Sequence, residues 1–234
     1  MRLLPVALLA LPVALAASAR AAAPLLYVAL GDSTAVGVGA DQGGGYPDRI
    51  ARRLAASGTQ VNLVNLGAAG ATADDVRREQ LPKLLAERPA LVTIGVGLND
   101  VLRGRPLADY ARDLEVIADA VARTNAAVVV SELPDVSRSP SGAGSSPSLA
   151  RRLAAYNATL RRVAERHGFQ IAEVEEPSRR AFRGRADLFA KDGFHPSARG
   201  YELWADLVWP PVERALAPRV QARRAGPPPP PAQR

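Results

Sequence analysis

The sequence predicts an α/β domain: a parallel sheet of five strands, wrapped by helices on both faces. Three observations point there. Short apolar runs alternate with segments of helical spacing along most of the chain. Several of the runs stop at a glycine, as strands buried on both faces of a parallel sheet do. The 234 residues, 47% hydrophobic and 23% charged, suffice for one sizeable core.

The first strand is the apolar run Leu25 to Leu30, which halts at Gly31-Asp32-Ser33. Pro47 to Ser57 reads as a helix, with proline near its start and Gly58 at its end. Val61 to Leu66 is a strand closed by Gly67. Thr72 to Glu87 is a helix that Thr72 can cap, with Asp74 and Asp75 as partners of its positive end and not as an acid pair. Leu91 to Val96 is a strand closed by Gly97. Leu107, Tyr110, Leu114, Ile117 and Val121 recur at helical spacing between 107 and 124. Ala126 to Val130 is a β-branched strand, followed by a polar loop from Ser131 to Ser148 that can wall or cover a site. Leu149 to His167 is an Arg-rich helix stopped by Gly168, and Gln170 to Val174 the last strand. A final helix starts at Ser197, with a break expected at Pro210-Pro211.

Both termini read as separate modules. Residues 1–23 have a basic start, an apolar stretch and small residues with A-x-A spacing, which predicts a cleaved signal peptide and a secreted or periplasmic protein. Its removal takes Arg2 and Arg20 and lowers the net charge from +7 to +5. The domain itself is expected over 24–216. Residues 217–234, rich in Pro and Arg, are expected to form a disordered tail. The basic residues are spread out and not interleaved with aromatics, so a nucleic-acid face is not expected; weak association with anionic surfaces is. With no cysteine there is no disulfide or thiolate metal site.

Parallel strands bring the ends at Ser33, Gly67, Gly97 and Ser131 to one edge of the sheet, where open α/β sheets place their ligand crevice. Ser33 there is a candidate nucleophile, although Gly-Asp-Ser is also common turn chemistry. A serine needs a base, and the chain has two histidines. His167 ends a predicted helix, where a cation favours the dipole. His195 lies in Asp192-Gly193-Phe194-His195-Pro196, three residues after an aspartate that can accept its Nδ1 proton. Oxyanion donors are available in the Ser33 N–H, the Gly67 N–H and the Asn99 amide. Gly67 reads equally as simple strand termination, and Asn99-Asp100 as a turn or cap. Asp32 reads as a structural acceptor that holds the turn.

Gly31-Asp32-Ser33, Gly67 after Asn65-Leu66, Gly97-Leu98-Asn99-Asp100 and Asp192-Gly193-Phe194-His195-Pro196, in that order, resemble the four blocks of the SGNH hydrolases (GDSL esterases/lipases). The likeness spans about Tyr27 to Val208 and looks closest to the thioesterase I/lysophospholipase/arylesterase branch. Thr34 stands where leucine is common. The resemblance implies a flavodoxin-like three-layer α/β/α sandwich. It makes Ser33 the nucleophile, His195 the base and Asp192 its orienter, with Ser33 N–H, Gly67 N–H and Asn99 as the oxyanion hole. It implies a secreted serine esterase or lipase that hydrolyses carboxylic esters through an acyl-enzyme, on a small-molecule or lipid ester. No metal or other cofactor and no oligomer is expected. Acyl transfer, carbohydrate deacetylation or a catalytically silent binding module are the alternatives. Neither Gly-x-Ser-x-Gly nor His-Glu-x-x-His occurs.

Overall fold

The structure, a computed structural model, describes residues 23–142 and 146–225. Residues 1–22 of the leader expected over 1–23, and the last residues, 226–234, lie outside the described residues. The chain runs β1 (Leu25–Gly31), α1 (Ser33–Val36), α2 (Tyr46–Ala56), β2 (Val61–Asn65), α3 (Ala73–Asp75), α4 (Leu81–Leu85), β3 (Leu91–Gly95), α5 (Leu98–Leu102), α6 (Leu107–Ala122), β4 (Ala127–Ser131), α7 (Pro147–Arg166), β5 (Gln170–Ala172), α8 (Glu175–Ala181) and α9 (Ala198–Ala225).

The strands form one parallel sheet of five, in the order β2-β1-β3-β4-β5. This is the expected fold, and its order reverses between β1 and β3, the topological switch point. Gly31 pairs with Gly95 across that point. Neighbouring residues of β1 face opposite sides. Val28 and Leu30 join Val92, Ile94, Val128 and Val130 under Leu114, Ile117, Tyr156 and Leu160 of α6 and α7. Tyr27 and Ala29 join Leu91 and Val129 under Ile50 and Leu54 of α2 and Trp204, Val208 and Val212 of α9. Two apolar layers therefore enclose the sheet, with Tyr46 and Trp204 stacked at 6.1 Å on the second.

Three expectations change. The helix expected over 72–87 contains a π turn, Val76–Gln80, between α3 and α4. Pro82 has no N–H to give and crowds the carbonyl four residues back, so a wider turn suits this position. Asp75 closes a capping box on Thr72, while Asp74 pairs with Arg77. Second, α9 is not broken at Pro210-Pro211; it continues through both and through Pro218 to Ala225, past the boundary expected at 217. The sheet holds it from outside, since Trp204, Val208, Pro211, Val212 and Leu216 are all buried. Third, α7 starts at Pro147, capped by Ser146, and short helices α5 and α8 follow β3 and β5.

Arginines tie the helices together. Asp113 of α6, 1% exposed, accepts from Arg77 Nε at 2.9 Å and from Arg105 Nη2 at 2.9 Å. Without Asp113, Arg77 keeps Asp74 and Arg105 keeps Asp100, but each loses a charge-assisted bond to a buried acceptor. Asp113→Ala is expected to cost about 3 kcal/mol of stability in urea unfolding, with ester turnover unchanged where the variant is folded. A loss below about 1 kcal/mol would mean the pair is as weak as a surface one.

Candidate active site

The end of β1 builds the Ser33 turn from small residues and one carboxylate. A Cβ on Gly31 would stand 2.7 Å from the Gly95 carbonyl, so only glycine lets β1 and β3 close up here. Asp32, 3% exposed, is the N-cap of α1: its Oδ1 accepts from Thr34 N and Thr34 Oγ1, both at 2.9 Å. Ser33 thereby becomes the first helical residue, whose N–H has no partner within the helix. Gly37, at φ 89°, ends the single turn by donating to the Ser33 carbonyl at 2.9 Å. Tyr201 of α9 reaches the same segment, its hydroxyl 2.9 Å from the Val38 carbonyl and 3.4 Å from that of Ser33.

The far end of the chain meets this turn. His195 Nε2 lies 3.1 Å from Ser33 Oγ, and its Nδ1 lies 2.6 Å from Asp192 Oδ2. Asp192 Oδ1 also accepts from the N–H groups of Phe194 and His195, at 2.9 and 3.0 Å. Burial raises the Asp192 pKa, but the His195 ring and those two N–H groups outweigh it and hold the carboxyl below its ordinary value. The loop is pinned on three sides. Ala190 N donates to the His195 carbonyl, Ser141 N donates to the Gly193 carbonyl, and the backbone of Gly39 packs against His195 Cβ. Part of the 131–148 loop thus abuts the segment that carries Asp192. That loop is also partly ordered: Val136–Arg138 makes a 3₁₀ turn, and Asp135 binds Arg179 Nε at 2.6 Å.

His167 is elsewhere. It is the C-cap of α7, stacks on Phe169 just ahead of β5, and lies 3.5 Å from Glu115 and 3.6 Å from Asp119. It therefore sits where the strands begin, at the opposite edge of the sheet from Ser33.

The expected oxyanion donors are only partly free. Asn99, in the first turn of α5, donates Nδ2 to the Ala71 carbonyl at 3.0 Å, and the same atom stands 3.5 Å from Asp32 Oδ2. Gly67 differs from expectation. Its N–H is donated to Asn65 Oδ1 at 3.1 Å, while Asn65 Nδ2 binds the Ala35 carbonyl at 2.7 Å. Gly67 is instead a close-approach residue, since a Cβ there would meet Ala35 Cβ at 2.7 Å. Gly70 is the better placed glycine. It lies at φ 80° in a turn closed by Ala71 N on the Ala68 carbonyl, and its own N–H has no acceptor among the described residues. Arg103 holds its carbonyl at 2.8 Å, and the fully buried Asp100 accepts from Ala73 N at 3.0 Å. Sequence reasoning passed over Gly70, and read Asp100 only as part of a turn or cap. Gly70 follows Gly67 by only three residues, and a glycine count along this loop could have raised it.

The sequence profile of the GDSL-like lipase/acylhydrolase family matches residues 29–203. The chain belongs to that family. It is a carboxylic ester hydrolase of the GDSL type. Esterase TesA of Pseudomonas aeruginosa is 29% identical over 199 residues, covering 84% of this chain and 92% of TesA. A GDSL-like esterase of Mycobacterium tuberculosis is 29% identical over 209 residues, covering 81% of this chain and 62% of that protein. The crystal structure of TesA superposes with a TM-score of 0.66 at 26% identity over 82% of this chain and 99% of TesA. An acetylxylan esterase of Geobacillus stearothermophilus, at 18% identity, covering 80% of this chain and 94% of that one with a TM-score of 0.69, shares the fold.

In this GDSL esterase the threonine of Gly-Asp-Ser-Thr has a local use: its hydroxyl adds a second bond to the capping carboxylate. Among the described residues no group of three or more His, Cys, Asp or Glu side chains could hold a metal ion. Asp32 is the perturbed carboxyl beside Ser33. Burial pushes its carboxyl up from 3.8 to about 6, against the Thr34 hydrogen bonds and the nearby His195. The folded chain therefore binds one more proton than the unfolded chain between these values, and that contribution to stability is lost as pH rises through about 6. Compared with Asp32→Asn in urea unfolding from about pH 4 to 7, the wild type is expected to lose ground as pH rises. A pH-independent difference would show that Asp32 is ionised throughout.

Proposed function

We propose that Ser33 is the nucleophile of a secreted serine esterase that works through an acyl-enzyme. The observation that carries the reading is the unbroken chain Asp192–His195–Ser33, at 2.6 and 3.1 Å. His195 Nε2 takes the Ser33 proton as Oγ attacks the ester carbonyl, and Asp192 fixes the tautomer that leaves Nε2 free to do so. The oxyanion is held by the Ser33 N–H, Asn99 Nδ2 and the Gly70 N–H, the last taking the place first expected of Gly67. Collapse of the tetrahedral intermediate breaks the bond to the alkoxy oxygen, which leaves with the His195 proton as the alcohol. Water then repeats the cycle on the acyl-Ser33 ester, releasing the acid and restoring the serine. Asp32 touches neither ring nor substrate in this scheme.

Hydrolysis, and not acyl transfer, is supported by the esterase activity in the name of TesA. Export is supported by the composition of residues 1–23. No helix among the described residues is long and apolar enough to cross a membrane.

A fluorophosphonate probe is expected to label Ser33 in the native protein, and Ser33→Ala to abolish both labelling and turnover. His195→Ala should remove turnover while His167→Ala retains it; equal losses would refute the assignment of the base. Asp192→Asn should be far more damaging than Asp32→Asn. For the oxyanion, Asn99→Ala is expected to lower kcat by about 100- to 1000-fold. Its donor role fails if kcat stays within about tenfold of wild type. An ester-to-thionoester comparison probes the carbonyl contact: Gly70→Ala, which strains the φ 80° turn that aims its N–H, should change the oxygen/sulfur rate ratio, and an unchanged ratio would take the donor role from Gly70.

A further inference from the structure

The π turn Val76–Gln80 has a consequence at Ser33. Gln80 is 3% exposed, and its side-chain amide spans 49 residues of sequence to reach Gly31. Oε1 accepts from Gly31 N at 2.9 Å, and Nε2 donates to Gly31 O at 2.8 Å. In a parallel strand the N–H and C=O of one residue point to the same neighbour. On this side of β1 that neighbour is β2: Leu66 N binds the Ala29 carbonyl at 2.9 Å, in line with the ladder. Past Leu66 the chain peels away into the Gly67–Thr72 loop. Its last backbone bond to β1 is Ala68 N on the Gly31 carbonyl, at 3.1 Å. Gly31 N would otherwise be a buried donor without a strand partner, which is costly to leave unmade.

We infer that Gln80 is a positioning residue for the reaction: its amide stands in for the departing strand at Gly31, fixing the nucleophile turn against the helix that follows the Gly70 loop. The inference rests on the serine-esterase reading above. Two features beyond the bonds themselves support it. Gln80 is the last residue of the π turn, in which Leu81 N bonds the Val76 carbonyl, and this wider turn sets the side chain's approach. The helix that carries Gln80 begins at Thr72, two residues past Gly70, where Asp100 anchors it through Ala73 N. Nucleophile and oxyanion donors thus share one rigid connection.

The molecule contains its own control. At the end of β4, Asn157 makes the same pair of bonds to Leu133, accepting from its N–H at 2.8 Å and donating to its carbonyl at 3.0 Å. That clamp is equally buried but holds no residue of the triad or oxyanion hole. Gln80→Leu, Gln80→Met and Asn157→Leu should all lower the unfolding midpoint. Only the Gln80 variants should lower kcat per fluorophosphonate-titratable site, by about 10- to 100-fold with KM within about twofold, as a small misplacement of a reacting group does. Gly31 amide exchange should accelerate in those variants alone. A wild-type kcat per site in folded Gln80→Met, or an equal loss in Asn157→Leu, overturns the inference. If the wild type takes no label at Ser33, the esterase mechanism falls instead, and Gly31 exchange still decides whether the clamp exists.

Discussion

All strands of a parallel sheet leave by the same edge, and there each loses its ladder partner before its loop begins. Backbone groups at this edge are buried, so every strand end needs a substitute for the missing neighbour. Side chains supply it: Gln80 at Gly31, Asn157 at Leu133, and the Glu132 carboxylate, which accepts from Val174 N and Glu175 N at 3.0 and 3.1 Å. The strand order reverses where β1 and β3 connect in opposite directions, and Ser33 follows β1 at that point. Of these three side chains, Gln80 alone acts on the strand that runs into Ser33.

The same constraint explains what could be read from the sequence. Strand runs and their glycine stops are local, so the parallel sheet follows from them. Ser33, Asp192 and His195 emerge because histidine is scarce here and only one of two histidines follows an aspartate at a usable spacing. The oxyanion loop was read less well. Whether Gly67 or Gly70 offers its N–H depends on where the Asn65 side chain turns, and that depends on the Ala35 carbonyl, thirty residues away. The π turn and the uninterrupted α9 were missed for a related reason. Pro82, Pro210 and Pro211 carry strong local preferences, but packing against the sheet decides how the helix accommodates each.

The Asp192–His195 loop shows how tertiary contacts finish what a motif begins. Asp192 and His195 are three residues apart, yet their loop is held by distant segments: Gly39, where a Cβ would meet His195 Cβ at 3.1 Å, and Ser141 N on the Gly193 carbonyl. Tyr201 completes the enclosure by tying α9 to the α1 turn. His195 and Ser33, 162 residues apart in sequence, are therefore brought together by contacts from other segments.

The ion pairs that join the helices are almost entirely guanidinium to carboxylate, and the chain's only lysines are Lys83 and Lys191. A lysine ammonium would begin to neutralise near pH 10.4 and a free phenol near 10. Here the arginines keep their charge, and burial drives Tyr27, Tyr46 and Tyr110 far above that range. The interior consequently has almost nothing to titrate in alkali. Base enters this protein through its surface and its substrate's chemistry, while the framework behind Ser33 keeps one electrostatic state.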